Sequence, residues 1–221
     1  MDTEVRTLPK AVLFDWDNTL VDTWPVIHDS MNATLKQMGC SDWTIDETKK
    51  RVRRSLREAF PEMFGTEWER ARKYFYERFR EIHLRGLKEL PGAELVLKTF
   101  QEKNVYLGVV SNKMGEHLRK EVNHLGWKKY FGGLIGATDA IADKPSVEPV
   151  IMALQGSGIE LGDEVWFVGD TKIDMECAHR SGCTGVFLNE RIPNSGDFME
   201  FMPKIHLTSC KELAAIVSQL T

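Results

Sequence analysis

Short, nearly unbroken apolar runs alternating with helical patterns constrain this chain most. The runs are Ala11–Phe14, 105–110, 134–135, 165–168, 185–188 and Ile205–Leu207. A strand with one face in water alternates apolar and polar residues. A strand covered on both faces does not. Between the later runs lie stretches with helical spacing at 91–102, 114–125, 145–154, Lys172–Arg180 and 211–220, several of them followed by Gly or Asn. Alternation of this kind predicts an α/β fold: a doubly wound, mostly parallel sheet with helices on both faces.

One stretch breaks the alternation. Residues 22–90 contain no convincing strand, and helical spacing dominates at 24–38, 45–60 and 66–84. This stretch is slightly basic, whereas the remainder is acidic. The expected organisation is an α/β core from 1–21 and 91–221, with an all-helical module, 22–90, inserted after the first strand. Six Trp and eleven Phe in 221 residues supply the bulk for a packed core.

Composition narrows the function classes. A formal net charge of −4 gives no electrostatic basis for binding nucleic acid or an anionic membrane. No apolar run approaches the roughly 18 residues of a membrane span. The polar start of the chain leads directly into the first apolar run, so no signal peptide is expected. Cys40, Cys177, Cys183 and Cys210 form no CxxC pair and join no His at zinc spacing. Reduced thiols in a cytoplasmic protein, monomeric or homodimeric, are expected.

The chemistry-bearing residues fall at strand ends. The first run ends Phe14-Asp15-Trp16-Asp17-Asn18-Thr19. Asp15 and Asp17, two apart, point the same way if the segment stays extended. Asn18 tolerates the turn that must follow. The fourth run ends Gly169-Asp170-Thr171, with Asp174 beyond it. Either segment alone could be a turn or a helix cap. In a doubly wound sheet, however, the strand that starts the second half lies beside the first. Ligands bind at that switch point, beyond the carboxyl ends of the strands. Asp15, Asp17, Asp170 and Asp174 would then crowd one crevice, and they cannot all ionise without a cation. Hard carboxylate oxygens suit Mg²⁺, often shared with phosphate. Ser111 and Asn112, ending the 105–110 run, supply polar donors at the same sheet edge. Lys144 could neutralise a developing phosphoryl charge. Taken singly, Ser111 could be a cap and Lys144 a surface charge.

Together these segments resemble the four motifs of the haloacid dehalogenase (HAD) superfamily. They are Asp15-Trp16-Asp17-Asn18-Thr19, Ser111-Asn112, Lys144-Pro145 and Gly169-Asp170-Thr171-Lys172-Ile173-Asp174. The position of the insert resembles the helical C1 cap, and residues 14–22 with Pro25 are most similar to the phosphoglycolate phosphatase-like branch. The resemblance implies Asp15 as a nucleophile forming an aspartyl-phosphate, and Asp17 as general acid and then base. It implies Mg²⁺ on Asp15, the Asp17 carbonyl and Asp170, with Asp174 ligating through water or orienting Asp170. Ser111 and Asn112 would hold phosphoryl oxygens, Lys144 would stabilise charge, and Thr19 would support the nucleophile loop. Asp17 separates the chain from dehalogenases and phosphonoacetaldehyde hydrolases, which lack an acid there. Two departures are Asn18 in place of the more usual Gly, and a proline displaced to Pro149.

The implied activity is hydrolysis of a small phosphorylated metabolite, such as a phosphoglycolate-like compound or a sugar phosphate. A sugar phosphomutase of the same architecture stays open, as does a non-catalytic phosphoaspartate binding or signalling module. The implied cap would select the substrate. Its basic segment 49–57 reads mainly as a solvated helix face, with one or two of Lys50, Arg53, Arg54 and Arg57 free to turn toward a ligand. Tyr74, Phe75, Tyr76 and Phe79 read as core.

Overall fold

The computed structural model describes residues 7–52, 55–193 and 195–220. The chain divides into two compact units, Met1–Val21 with Glu89–Thr221, and Asp22–Lys88.

The strands are β1 (Ala11–Phe14), β2 (Val21–Asp22), β3 (Lys88–Glu89), β4 (Tyr106–Met114), β5 (Gly133–Ala137), β6 (Val165–Gly169), β7 (Thr184–Leu188) and β8 (Ile205–Leu207). The helices are α1 (Trp24–Gln37), α2 (Ile45–Arg51), α3 (Leu56–Phe64), α4 (Trp68–Gly86), α5 (Ala93–Glu102), α6 (Gly115–His124), α7 (Glu148–Leu154), α8 (Lys172–Arg180), α9 (Ser195–Phe198) and α10 (Cys210–Gln219).

Six strands form one sheet in the order β5-β4-β1-β6-β7-β8, and every pairing is parallel. The expected doubly wound sheet is therefore present, with β1 flanked by β4 and β6. Phe14 is level with Val109 on one side and Val168 on the other. The segments after these strand ends are thereby brought to one edge.

Both faces of β1 are covered, which is why its sequence shows no polar alternation. Ala11 and Leu13 pack with Val150, Ala153 and Leu154 of α7 and with Cys177 and Ala178 of α8. On the opposite face Phe14 meets the Phe100 ring edge-on at 6.2 Å, and Phe100 meets Trp166 at 6.3 Å. Cys177, Cys183 and Cys210 are buried and free, and Cys40 is exposed and free. Among the described residues no helix is long and apolar enough to cross a membrane.

Three local features differ from the sequence expectation. The 105–110 run continues as a strand to Met114, with its register broken between Val110 and Met114. Ser111, Asn112 and Lys113 lie in that irregular extension. The single helix expected over 45–60 is two, α2 and α3; Val52 follows the first and Ser55 precedes the second. Arg53 and Arg54 of the basic segment lie outside the described residues. β2 and β3 pair as a two-stranded ribbon. Strands of two residues are too short to leave a periodic signal.

The Asp22–Lys88 unit has a core of its own, built from Val26, Met31, Phe60, Ala71, Phe75 and Phe79. Ala71, Phe75 and Phe79 recur every four residues and so line one face of α4. The Phe75 ring contacts Phe60 at 5.8 Å, Tyr76 at 5.4 Å and Phe79 at 5.8 Å. Removing a ring so enclosed leaves a cavity that its neighbours fill only in part. Phe75→Ala should cost about 3–5 kcal/mol, read as a lower urea midpoint for loss of helical circular dichroism. A change below about 1 kcal/mol would show that the ring is not a core member.

Candidate active site

At the sheet's switch point one ammonium group is enclosed by carboxylates. Lys144 Nζ donates to Asp15 Oδ1 at 2.6 Å and to Asp174 Oδ1 at 2.7 Å. All three side chains are buried. Asp15 is the first residue beyond β1, and its N–H donates to the Val168 carbonyl of β6 at 2.8 Å. Asp174 lies in the first turn of α8, where its Oδ2 accepts from the Thr171 N–H at 3.0 Å and the Thr171 hydroxyl at 2.6 Å. This capping box fixes the carboxylate as it starts the helix. A Cβ on Gly169 would collide with the Asp174 side chain, so only glycine permits this approach.

Thr19 ties the two acidic loops together, its hydroxyl lying 3.4 Å from Asp15 Oδ2 and 3.3 Å from Asp170 Oδ1. Asn189 donates to the Asp170 carbonyl at 3.2 Å. Asp15, Asp170 and Asp174 each present an oxygen within 4.8 Å of the others, a set able to hold a metal ion. The donors are all hard oxygens, which fits Mg²⁺ in its chemistry.

Asp17 has a different cation. Lys113 Nζ lies 2.6 Å from Asp17 Oδ1 and 2.6 Å from Glu121 Oε2. The Trp16 indole N–H donates to the same Glu121 oxygen at 2.7 Å. β1 ends at Phe14, and the chain then turns with Asn18 in the left-handed region at φ 62°. Asp15 pairs with Lys144 and Asp17 with Lys113.

Asn112 clamps the lysine loop: its side-chain oxygen accepts from the Lys144 N–H at 2.9 Å and its amide donates to the Lys144 carbonyl at 3.2 Å. The Lys144-Pro145 peptide is cis. Ser111 is buried, and its Oγ accepts from the Lys113 N–H at 3.2 Å.

The electrostatics follow from this crowding. Burial pushes the Asp15 carboxyl up; Lys144 opposes that rise, while Asp174 and Asp17 add to it, and the result is about 7. Asp170 is raised well above the usual carboxylate range by burial, then by Asp174 and Asp15. Burial alone would lower the Lys144 and Lys113 ammonium groups. Asp15 and Asp174 outweigh it at Lys144, and Asp17 and Glu121 at Lys113, so both are held above the ordinary lysine value.

The residues singled out in the four motifs lie at this edge of the sheet or in the segments that leave it. Asp15, Thr19, Lys144, Asp170 and Asp174 are joined by direct contacts, Asn112 reaches the cluster through the Lys144 backbone, and Asp17 belongs to the Lys113 network. Sequence reading missed Trp16, Lys113, Glu121, Thr171 and Asn189. Thr171 carried a signal, since Thr followed three residues later by an acid is a capping pattern.

A doubly wound α/β core with a buried carboxylate–lysine cluster at its switch point is compatible with an enzyme, and comparison with known proteins says of which kind. The chain belongs to the haloacid dehalogenase-like hydrolases, whose family model matches residues 12–188. It is 29% identical over 196 residues to the phosphoglycolate phosphatase of Aquifex aeolicus, covering 84% of this chain and 90% of that one. It is 26% identical over 208 residues to the pyrophosphatase PpaX of Oceanobacillus iheyensis, covering 94% and 96%. A solved HAD-superfamily hydrolase from Ehrlichia chaffeensis is similar with a TM-score of 0.66 and 28% identity, covering 97% and 98%.

A carboxyl raised from 3.8 to about 7 favours the fold while protonated. That contribution is complete below pH 3.8 and is lost as the pH rises through about 7. Asp15→Asn is neutral throughout. In chelator at pH 8 the variant should therefore melt several degrees above the wild type, taking ~2–4 °C per kcal/mol for a chain of this size. At pH 5 the gap should shrink. A variant that melts lower at pH 8 would contradict the sign.

Proposed function

We propose that this protein is a Mg²⁺-dependent phosphomonoester hydrolase of a small phosphorylated metabolite, working in the cytoplasm through an aspartyl-phosphate on Asp15. The observation that carries the reading is the Lys144 ammonium held on Asp15 and Asp174 at the switch point, beside Asp170. An aspartate oxygen attacks an anionic phosphoryl group only if charge on both is offset, and Lys144 is placed to do that. The Asp22–Lys88 unit would be the cap that selects the substrate.

In the first step an Asp15 oxygen bonds to phosphorus and the bond to the leaving oxygen breaks. Asp17 gives that oxygen its proton. In the second step Asp17 takes a proton from water as the water oxygen bonds to phosphorus, and the Asp15 carboxylate is released. The Ser111 hydroxyl is available to a phosphoryl oxygen. The Asn112 side chain is engaged with the Lys144 backbone, so a phosphoryl contact from Asn112 would use its N–H. Mg²⁺, held by Asp15, Asp170 and the Asp17 carbonyl with Asp174 behind them, would neutralise phosphoryl charge and polarise its oxygens. The names of the relatives supply the first substrates to try, phosphoglycolate and pyrophosphate.

The test is phosphate release from these two compounds, sugar phosphates and nucleoside monophosphates, with Mg²⁺ and with chelator. Turnover should require Mg²⁺ and fall at least ~10³-fold in Asp15→Asn, since a nucleophile has no substitute. An isomerised sugar phosphate formed without phosphate release would replace hydrolase by mutase. Undiminished turnover in Asp15→Asn would remove the mechanism.

A further inference from the structure

We infer that Lys113, braced by Glu121 and Trp16, is a positioning residue that holds Asp17 at the station from which it meets the leaving-group oxygen. The inference rests on the phosphohydrolase reading above and deepens it.

The contacts form a chain with one free end. Trp16 N–H meets Glu121, Glu121 meets Lys113, and Lys113 meets Asp17. Trp16 is fully buried, Glu121 is 1% exposed and the Lys113 side chain 5%, whereas the Asp17 side chain is 21% exposed. Three members are thus sealed in and only the last reaches the side of the site open to solvent. Burying an ammonium and a carboxylate costs several kcal/mol per ion before their attraction is counted, and a well-packed apolar pair of the same volume is often as stable or more so. Stability alone is a poor account of such a network. Direction is a better one, because a carboxylate on a freely turning side chain spends little time in line with a leaving oxygen.

The bracing elements support this reading. Trp16 lies directly between Asp15 and Asp17, so the indole that fixes Glu121 also fixes the backbone of the acidic loop. It packs edge-on against Trp127 at 5.9 Å. Lys113 sits in the irregular end of β4 and Glu121 on α6, so the anchor spans two elements. The ion pairs of Lys113 run to Asp17 and Glu121, and those of Lys144 to Asp15 and Asp174. The two lysines divide the labour, one serving the nucleophile and the other its proton carrier.

Loss of this positioning has a signature that general damage to the site lacks. When the phosphorus–oxygen bond breaks, an alkyl leaving group departs as a strong base and needs the Asp17 proton. A p-nitrophenolate needs almost none. The parameter to read is kcat/KM, which covers events only through leaving-group departure and is blind to the shared hydrolysis of the aspartyl-phosphate.

In Lys113→Met, kcat/KM for the best alkyl phosphate should fall by ~10² or more, the scale of a general acid, while that for p-nitrophenyl phosphate falls less than ~10-fold. An equal fall for both esters would overturn the inference. Lys113→Met leaves Glu121 buried without its cation, so Lys113→Met with Glu121→Gln is made in parallel; the Gln carbonyl still accepts from Trp16, and Asp17, the more exposed of the two acids, is the one carboxylate left without Lys113. The same ester contrast is expected from it. Crystal structures of the variants read the Asp17 position without turnover: a side chain turned away from its wild-type direction supports the role, and an unmoved one contradicts it. Failure of the phosphohydrolase reading is seen separately, as wild-type protein that hydrolyses neither ester.

Discussion

A single ammonium group organises the centre of this molecule. Lys144 Nζ sits between Asp15, the first residue beyond the central strand, and Asp174, in the first turn of a helix beyond the neighbouring strand. Two carboxylates taken from water into so small a volume would repel each other and forfeit their hydration. The lysine makes the arrangement tolerable, and much of the nearby structure keeps it in place. Asn112 grips its backbone on both sides, the capping box at Thr171 aims Asp174, and Gly169 leaves room for the approach. These devices come from the ends of β4 and β6, which meet the end of β1 because β1 lies between them.

The arrangement is still short of positive charge. Lys144 and Lys113 face Asp15, Asp17, Asp170, Asp174 and Glu121, and the raised positions of Asp15 and Asp170 record their burial first and the neighbouring carboxylates second. A divalent cation is the economical remedy, and the oxygens of Asp15, Asp170 and Asp174 are close enough together to receive one. Without a cation, a cluster built this way costs stability. That is the usual relation between function and strain at an active centre.

Much of the fold was legible because burial on both faces writes itself plainly into a strand. β1 and β8 fall where their apolar runs are, and α8 is bounded by its capping threonine and by Gly182. The acids were legible as candidates because carboxylates at the ends of apolar strands have few inexpensive explanations. What lies beyond the strand ends was harder to read. The β4 extension through Lys113 has lost regular pairing, so no period marks it. Lys113 and Glu121 look like ordinary surface charges in the sequence, eight residues apart on different elements. Only the packing of α6 beside β4 makes them partners. The break between α2 and α3 was hidden by a charge-rich run that keeps helical spacing on both sides of it. Sequence periodicity locates elements. It does not report which polar side chains the tertiary structure encloses.

The central claim is that Asp15 carries the phosphoryl group. It is tested most directly by quenching the enzyme during turnover of its best phosphate ester, reducing any acyl phosphate with borohydride, and locating the product by peptide mass spectrometry. The account predicts conversion of Asp15 to homoserine, in a yield that falls when substrate is omitted. Conversion at another aspartate, or none in protein that is releasing phosphate at the moment of quenching, would contradict it.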